Sequence, residues 1–282
     1  MELVSGDGTV AIPAKVASWA VMLLPYLEQG PLYDAWQDNG TTAGWTTTNP
    51  VFYPDIRIFQ CSSDSMSAET QAKNSFVCNA GFYPTAAVSG WAPGYNGTAT
   101  AASTYSQRPQ NGVFNNRLPS AIVSPLTGGS ATGVYGAGAA ATKQDTIKDG
   151  LTQTIAFSEN LQADQWGYVN ISDDSVRART GMVWLYALNS GSAGSGRPSA
   201  PQPSITNRIN GNKDTATVGD YNAARPSSGH SSIVNVAFLG GSVSSISNGI
   251  DYHVYQALLT PQSKASDMPN NLYLLKDVDY MQ

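Results

Sequence analysis

The stretch that most constrains this chain is Arg225 to Pro261, RPSSGHSSIVNVAFLGGSVSSISNGIDYHVYQALLTP. Val234, Val236 and Phe238 alternate with Asn235, Ala237 and Leu239, the period of two that gives a strand two distinct faces. Gly240-Gly241 follows, a pair that reaches positive φ without a Cβ clash, so the pattern predicts a two-residue hairpin. That turn sets Phe238 opposite Val243, on one face with Val236. Asn248-Gly249 ends the second strand, and Asp251 is placed to cap a helix. Val254, Tyr255 and Leu258 then recur at helical spacing until Thr260-Pro261 stops the run. The unit is a hairpin feeding a helix, and nothing in it is an evident catalyst.

In the same stretch His230 is followed by nine residues, Ser231 to Leu239, and then by Gly240-Gly241. This resembles the C-terminal signature (His, nine residues, Asp-Gly) of a large planctomycete family of unknown function with prepilin-type N-terminal signals. The sequel GSV…S…IDY.VY..L.TP is similar too. Four upstream blocks add to the resemblance: Ser18-Trp19 through LLPYLEQ (Leu23–Gln29), FQCSSD (Phe59–Asp64), NSFVCNAG (Asn74–Gly81) and DGLTQTIAFSENLQ (Asp149–Gln162). They stand in family order over most of the chain. The resemblance implies a pilin- or pseudopilin-like domain that follows a prepilin-like leader and a long hydrophobic helix. The start, Met1-Glu2-Leu3 and then Ser5-Gly6-Asp7-Gly8, fits a truncated or processed form without that anchor.

One position departs from the signature: its Asp-Gly is Gly-Gly here. A metal ligand or general base at that Asp would be lost, whereas a type I′ turn would survive. The residues favour the turn, and His230 is expected to fix the loop before the strand. No Ser or Cys partner motif accompanies it.

Only 12% of the residues are charged, against about a quarter in ordinary globular chains. Gly, Ser, Thr, Asn and Ala fill long stretches, which suits an extracellular β-rich protein. A net charge of −5 without a basic run argues against a nucleic-acid partner. No apolar run is long enough to span a bilayer; Val16 to Leu27 is broken by Ser18 and Pro25. Cys61 and Cys78 are the two cysteines. In a secreted chain they read as a disulfide, worth about 3 kcal/mol, the alternative being two buried thiols. With no further Cys and only two His, a zinc site is not expected.

In chain order, Pro13 through Gln29 carries a helical stripe, kinked or restarted at Pro25 and ended by Gly30, and Pro31 opens a short second helix over Leu32 to Trp36. Short strands are expected at Ile56 to Gln60, Ser75 to Asn79 and Gln153 to Ser158. Met182 to Leu188, apolar on both faces, reads as a central strand, and Leu272 to Val278 as an edge. Residues 91–142 read as surface loops anchored at Asn111 to Phe114. The sum is one α+β domain over 1–282, with N-terminal helices packed on an antiparallel sheet. It divides into a helical lead-in (1–37), strands with long loops (38–224) and the signature unit (225–282).

Catalytic readings find little to hold. There is no Gly-x-Ser-x-Gly elbow, and only His230 and His253 offer an imidazole. Glu159 lacks a nameable second carboxylate for glycosidase chemistry. Gly136 to Ala141 echoes a dinucleotide loop without the strand, helix or acid it needs. Asn210, Asn212 and Asp214 alternate as calcium ligands do, but the loop lacks the glycine and the closing Glu, and Asp173-Asp174 is no better. Trp45, Trp91, Tyr95, Tyr105 and Trp166 could stack on sugars or plug loops onto the sheet. The expectation is therefore a non-enzymatic structural subunit without cofactor, extracellular or periplasmic, that self-associates into a filament through a preceding helix. A solute- or carbohydrate-binding module is the alternative.

Overall fold

Ser18 starts the first helix by accepting a hydrogen bond from Val21 N–H (3.4 Å) while its own hydroxyl donates to Trp166 O (2.5 Å). Helix α1, Trp19–Leu23, passes at once into a 3₁₀ turn, Leu24–Leu27, because Pro25 has no N–H for the helical ladder. Glu28, at φ 60°, ends that turn, so the stop expected at Gly30 comes earlier and Gly30 instead begins α2, Gly30–Asn39. The computed structural model describes residues 17–39, 54–65, 72–84, 108–115, 142–168, 179–186, 208–216, 218, 223–268 and 271–280. Trp45, Trp91, Tyr95, Tyr105, Asp173-Asp174 and Gly136 to Ala141 lie outside the described residues.

Among the described residues five strands form one sheet: β1 Phe76–Pro84, β2 Ile155–Glu159, β3 Gly181–Tyr186, β4 Ile233–Phe238 and β5 Val243–Ser247, in the order β3-β1-β2-β4-β5. The α+β class holds, but the sheet is mixed rather than antiparallel. Strand directions alternate along the chain through β3, yet β3 lands on the free edge of β1 instead of beside β2, so β1 and β3 run parallel. The apolar run of β3 correctly implies burial and wrongly implies a central place. Met182, Val183 and Trp184 are buried at a sheet edge because the chain at Ala223-Ala224 covers that edge, Val183 N–H donating to Ala224 O (2.8 Å).

Helix α3, Tyr252–Leu259, lies on one sheet face, over Val77, Ile155, Val234, Val236, Phe238 and Ile246. Asp251 caps it through His253 N–H (2.8 Å), and Tyr255 OH donates to Val183 O (3.1 Å). The opposite face meets the lead-in: Trp19 packs 5.0 Å from Phe157 and 5.9 Å from Phe59 between ring centroids, over a second core of Ala20, Val21, Leu24, Trp36, Ile56 and Trp166. Ile56 and Phe59 reach that core from a 3₁₀ turn, Arg57–Phe59, not from the expected strand. A spacing of three brings both side chains to one side of such a turn.

Asn79 ties the layers together. It is fully buried at the bulge in β1, donates to Ile155 O (2.8 Å) and Leu259 O (2.9 Å), and accepts from Gly81 N–H (3.1 Å). Gly81, at φ 76°, passes so close to Asn111 and Gly112 that a Cβ would stand 2.5 Å from Asn111 O. This is the anchor expected at Asn111 to Phe114.

The hairpin differs from the two-residue turn expected at Gly240-Gly241. Gly241 alone of the pair has positive φ (87°), Gly241 N–H donates to Phe238 O, and Phe238 N–H donates to Ser242 O. These are the marks of a three-residue loop with a bulge. Ala237, not Phe238, therefore pairs with Val243, which lies exposed on the face away from α3. Leu272 to Val278 is not an edge strand: it ends in a 3₁₀ turn, Asp277–Asp279, held by Tyr273 OH donating to Asp279 (2.7 Å). No helix among the described residues is long and apolar enough to cross a membrane.

Candidate functional site

Pieces of the resembling blocks meet at one corner of the sheet, on the face that carries α1. Strand β2 ends there in Glu159, with Asn235 of β4 beside it. Buried Phe59 anchors the 3₁₀ turn that delivers Cys61. Ser75 Oγ accepts from Cys61 N–H (3.0 Å) and donates to Asp64 (2.7 Å), fixing the FQCSSD loop against the start of β1. The segment Arg225 to His230 runs beside Glu159 to Gln162: Ser227 N–H donates to Glu159 O (3.0 Å), and Asn160 Nδ2 donates to Ala223 O and Arg225 O. Arg225, 1% exposed, is surrounded by acceptors, among them Gly211 O and Gln162 Oε1 (3.1 Å). Lys213 Nζ donates to Ser228 O (2.9 Å) and His230 O (3.3 Å), closing the loop that presents His230. At Gly229 this loop touches the Cys61 loop directly, backbone to backbone, against Ser63.

Three polar, chemically reactive side chains converge inside this frame. Cys61 Sγ lies 3.4 Å from Glu159 Oε1 and 4.0 Å from His230 Nε2, and His230 Nε2 lies 3.3 Å from Glu159 Oε1. Glu159 is 4% exposed. Its other oxygen accepts from Asn235 N–H (2.8 Å), and Asn235 Nδ2 donates to Oε1 (3.1 Å). Ser245 Oγ donates to Asn235 Oδ1 (2.9 Å) and so orients that amide. Burial pushes the Cys61 thiol above its ordinary value; the Ser63 backbone N–H pulls it down, while Glu159 and Asp64 push it up again. The group therefore stands as a thiol.

The arrangement differs from that of a nucleophilic relay. A Cys–His–acid relay uses the two imidazole nitrogens separately, one toward the nucleophile and one toward the acid. Here a single nitrogen, Nε2, faces both the sulfur and the carboxylate, and the thiol is held protonated rather than activated. The recess beside the cluster, lined among others by Asp64, Ser75, Ser227 and Gly229, is too tight for a sugar ring.

The structure does not show the expected Cys61–Cys78 disulfide: the two are not bonded to each other. Cys78 sits inside β1, in register with Phe157 and Gly181, where the ladder holds its backbone. Cys61 sits on the loop beyond Phe59, its sulfur turned to Glu159. His230 lies in the loop before β4, its N–H donating to Ser228 Oγ (3.2 Å), and its ring belongs to the cluster, which its lack of a sequence partner concealed. Gly240 and Gly241 lie at the other end of β4, where Gly240 N–H donates to Leu151 O (2.8 Å). The nine-residue spacing is thus β4 and the three residues that flank it, and the missing Asp would have stood at the hairpin tip, away from the corner.

Other candidates resolve differently. Asn210 spends its Oδ1 on Ser228 N–H (2.8 Å), while Asn212 and Asp214 are exposed. Trp166 is a plug, fully buried with Nε1 donating to Pro54 O (3.0 Å). His253 packs edge-on against Tyr273, away from the cluster. Asn235, Ser75 and Asp64 are site residues that sequence reading did not single out. The available signal was their position within or beside the blocks.

A family model described as "Protein of unknown function (DUF1559)", SBP_bac_10, matches residues 3–253. No curated protein and no solved structure matches the chain. The chain belongs to that family.

Proposed function

We propose that this member of the DUF1559 family is the non-enzymatic globular domain of a pilin- or pseudopilin-like subunit, extracellular or periplasmic, that assembles into a filament through a hydrophobic helix N-terminal to α1. The observation that carries this reading is the seating of α1. Trp19 is wedged between Phe157 of the sheet and Phe59, its Nε1 donates to Thr180 O (3.0 Å), and Ser18 is bonded to Trp166. The start of α1 is thereby fixed to the sheet, the firm attachment point that a helix ahead of it in a filament subunit would need. Trp166, the one candidate sugar-stacking aromatic among the described residues, is fully buried and offers no stacking face, which favours this over a solute- or carbohydrate-binding module.

The test is electron microscopy of the native protein on its host's surface, with mass spectrometry of its N-terminus. Filaments whose subunits begin with a processed hydrophobic helix are expected. A monomeric surface protein that retains an uncleaved anchor and binds sugars would overturn the proposal in favour of the binding module.

A further inference from the structure

We propose that Cys61 Sγ, His230 Nε2 and Glu159 Oε1 together bind one divalent cation of the zinc class, with a fourth position left to water. The three donor atoms all lie within 4.8 Å of one another, and among the described residues this is the one such grouping of His, Cys, Asp and Glu. For metal–ligand bonds of about 2.0–2.3 Å at tetrahedral angles, donor atoms stand ~3.3–3.7 Å apart. The observed separations are 3.3, 3.4 and 4.0 Å. Only the sulfur–imidazole edge must close, by a few tenths of an ångström, for an ion to sit at bonding distance from all three. The convergence of two donors on Nε2, wrong for a proton relay, is what shared coordination needs.

The donor set selects the ion. A thiolate with an imidazole suits zinc and its borderline neighbours, whereas calcium and magnesium take oxygen ligands. Binding breaks the Cys61 S–H bond and releases the proton to solvent as the sulfur–metal bond forms. His230 ligates as the neutral ring with its proton on Nδ1. Thiolate and carboxylate then neutralise the dication, so no net charge is left at this half-buried place. The surroundings fit as well. Asn235 holds both carboxylate oxygens and is itself held by Ser245, the outer-shell bracing that metal sites use. Counting Cys and His alone hid the site, because its third ligand is a carboxylate.

Such an ion would tie together segments separated by 98, 71 and 169 residues in the chain. Its binding free energy would therefore act as folding free energy, and its binding does not depend on filament assembly.

The experiment strips the full chain with a chelator and titrates it with Zn²⁺ alone. One ion per chain and a higher melting temperature are expected. Cys61→Ala and His230→Ala should each weaken binding by more than about 100-fold, beyond the loss usual for an outer-shell partner. Cys78→Ala should leave binding unchanged. Co²⁺ in the wild-type chain should give a thiolate-to-metal charge-transfer band that disappears in Cys61→Ala. If either variant fails to fold, the wild-type cobalt spectrum decides: the band supports the site and its absence overturns it. Folded wild-type protein that takes up neither ion, or binding that survives both ligand variants, also overturns it.

Discussion

Gly229→Ala is expected to lower the melting temperature by about 6 °C or more, from a cost of about 3 kcal/mol or more. A Cβ at Gly229 would stand 1.9 Å from Ser63 O and 2.8 Å from Ser63 C. Both are backbone atoms, so no side chain can turn aside to relieve the clash. Neither loop is free to retreat. Lys213 holds the carbonyls on either side of Gly229, and the Cys61 loop is pinned through Ser75 and Asp64. The strain must therefore open the corner and part Cys61 from His230. Gly249→Ala is the matched control: its Cβ would meet only Ser247 Oγ at 3.5 Å, an ordinary contact, and the change should stay below about 1 kcal/mol. Thermal melts of both variants check the pair; equal, small shifts would show that the two loops do not meet at Gly229.

Asn79→Ala should cost about 3 kcal/mol or more by chemical denaturation, through lost bonds rather than a clash. Its amide donates to carbonyls of two different elements, Ile155 in β2 and Leu259 in α3, and its carbonyl accepts from the Gly81 N–H that shapes the bulge. Truncation leaves these backbone groups buried without that partner. Asn79→Asp is the sharper variant: it nearly preserves shape and keeps the acceptor for Gly81, but it turns a charge toward the Ile155 and Leu259 carbonyls. It should cost at least as much as the alanine. A mild effect of Asn79→Asp would mean that the donor bonds, and with them the link from sheet to helix, contribute little.

Much of this fold was legible in the sequence, and the failures share a cause. The signature unit read correctly as strand, turn, strand and capped helix because period, glycine pair and Asp251 cap are local signals. The hairpin slipped by one residue because Gly-Gly permits positive φ at both positions while the chain uses it at Gly241 alone. Ile56 to Gln60 was too short an apolar run to separate a strand from a 3₁₀ turn. The flanks of β3 showed that it is buried on both faces, but its rank in the sheet depends on what covers Val183, set by Ala224 far along the chain. The cluster was the hardest to see. Cys61, Glu159 and His230 each lay inside a recognisable block, yet their meeting is set by how β2, β4 and two loops come together. An even cysteine count in a low-charge chain drew attention to Cys78, which sits in β1 and is not bonded to Cys61.

Counting thiols decides whether Cys61 is a thiol of the corner or half of a disulfide. The full chain, purified without reductant, is unfolded in denaturant with an alkylating reagent and a chelator, then mapped by peptide mass spectrometry. Alkylation of both Cys61 and Cys78 is predicted. A Cys61–Cys78 peptide pair that takes up label only after reduction would instead establish the disulfide and remove the free thiol from the corner.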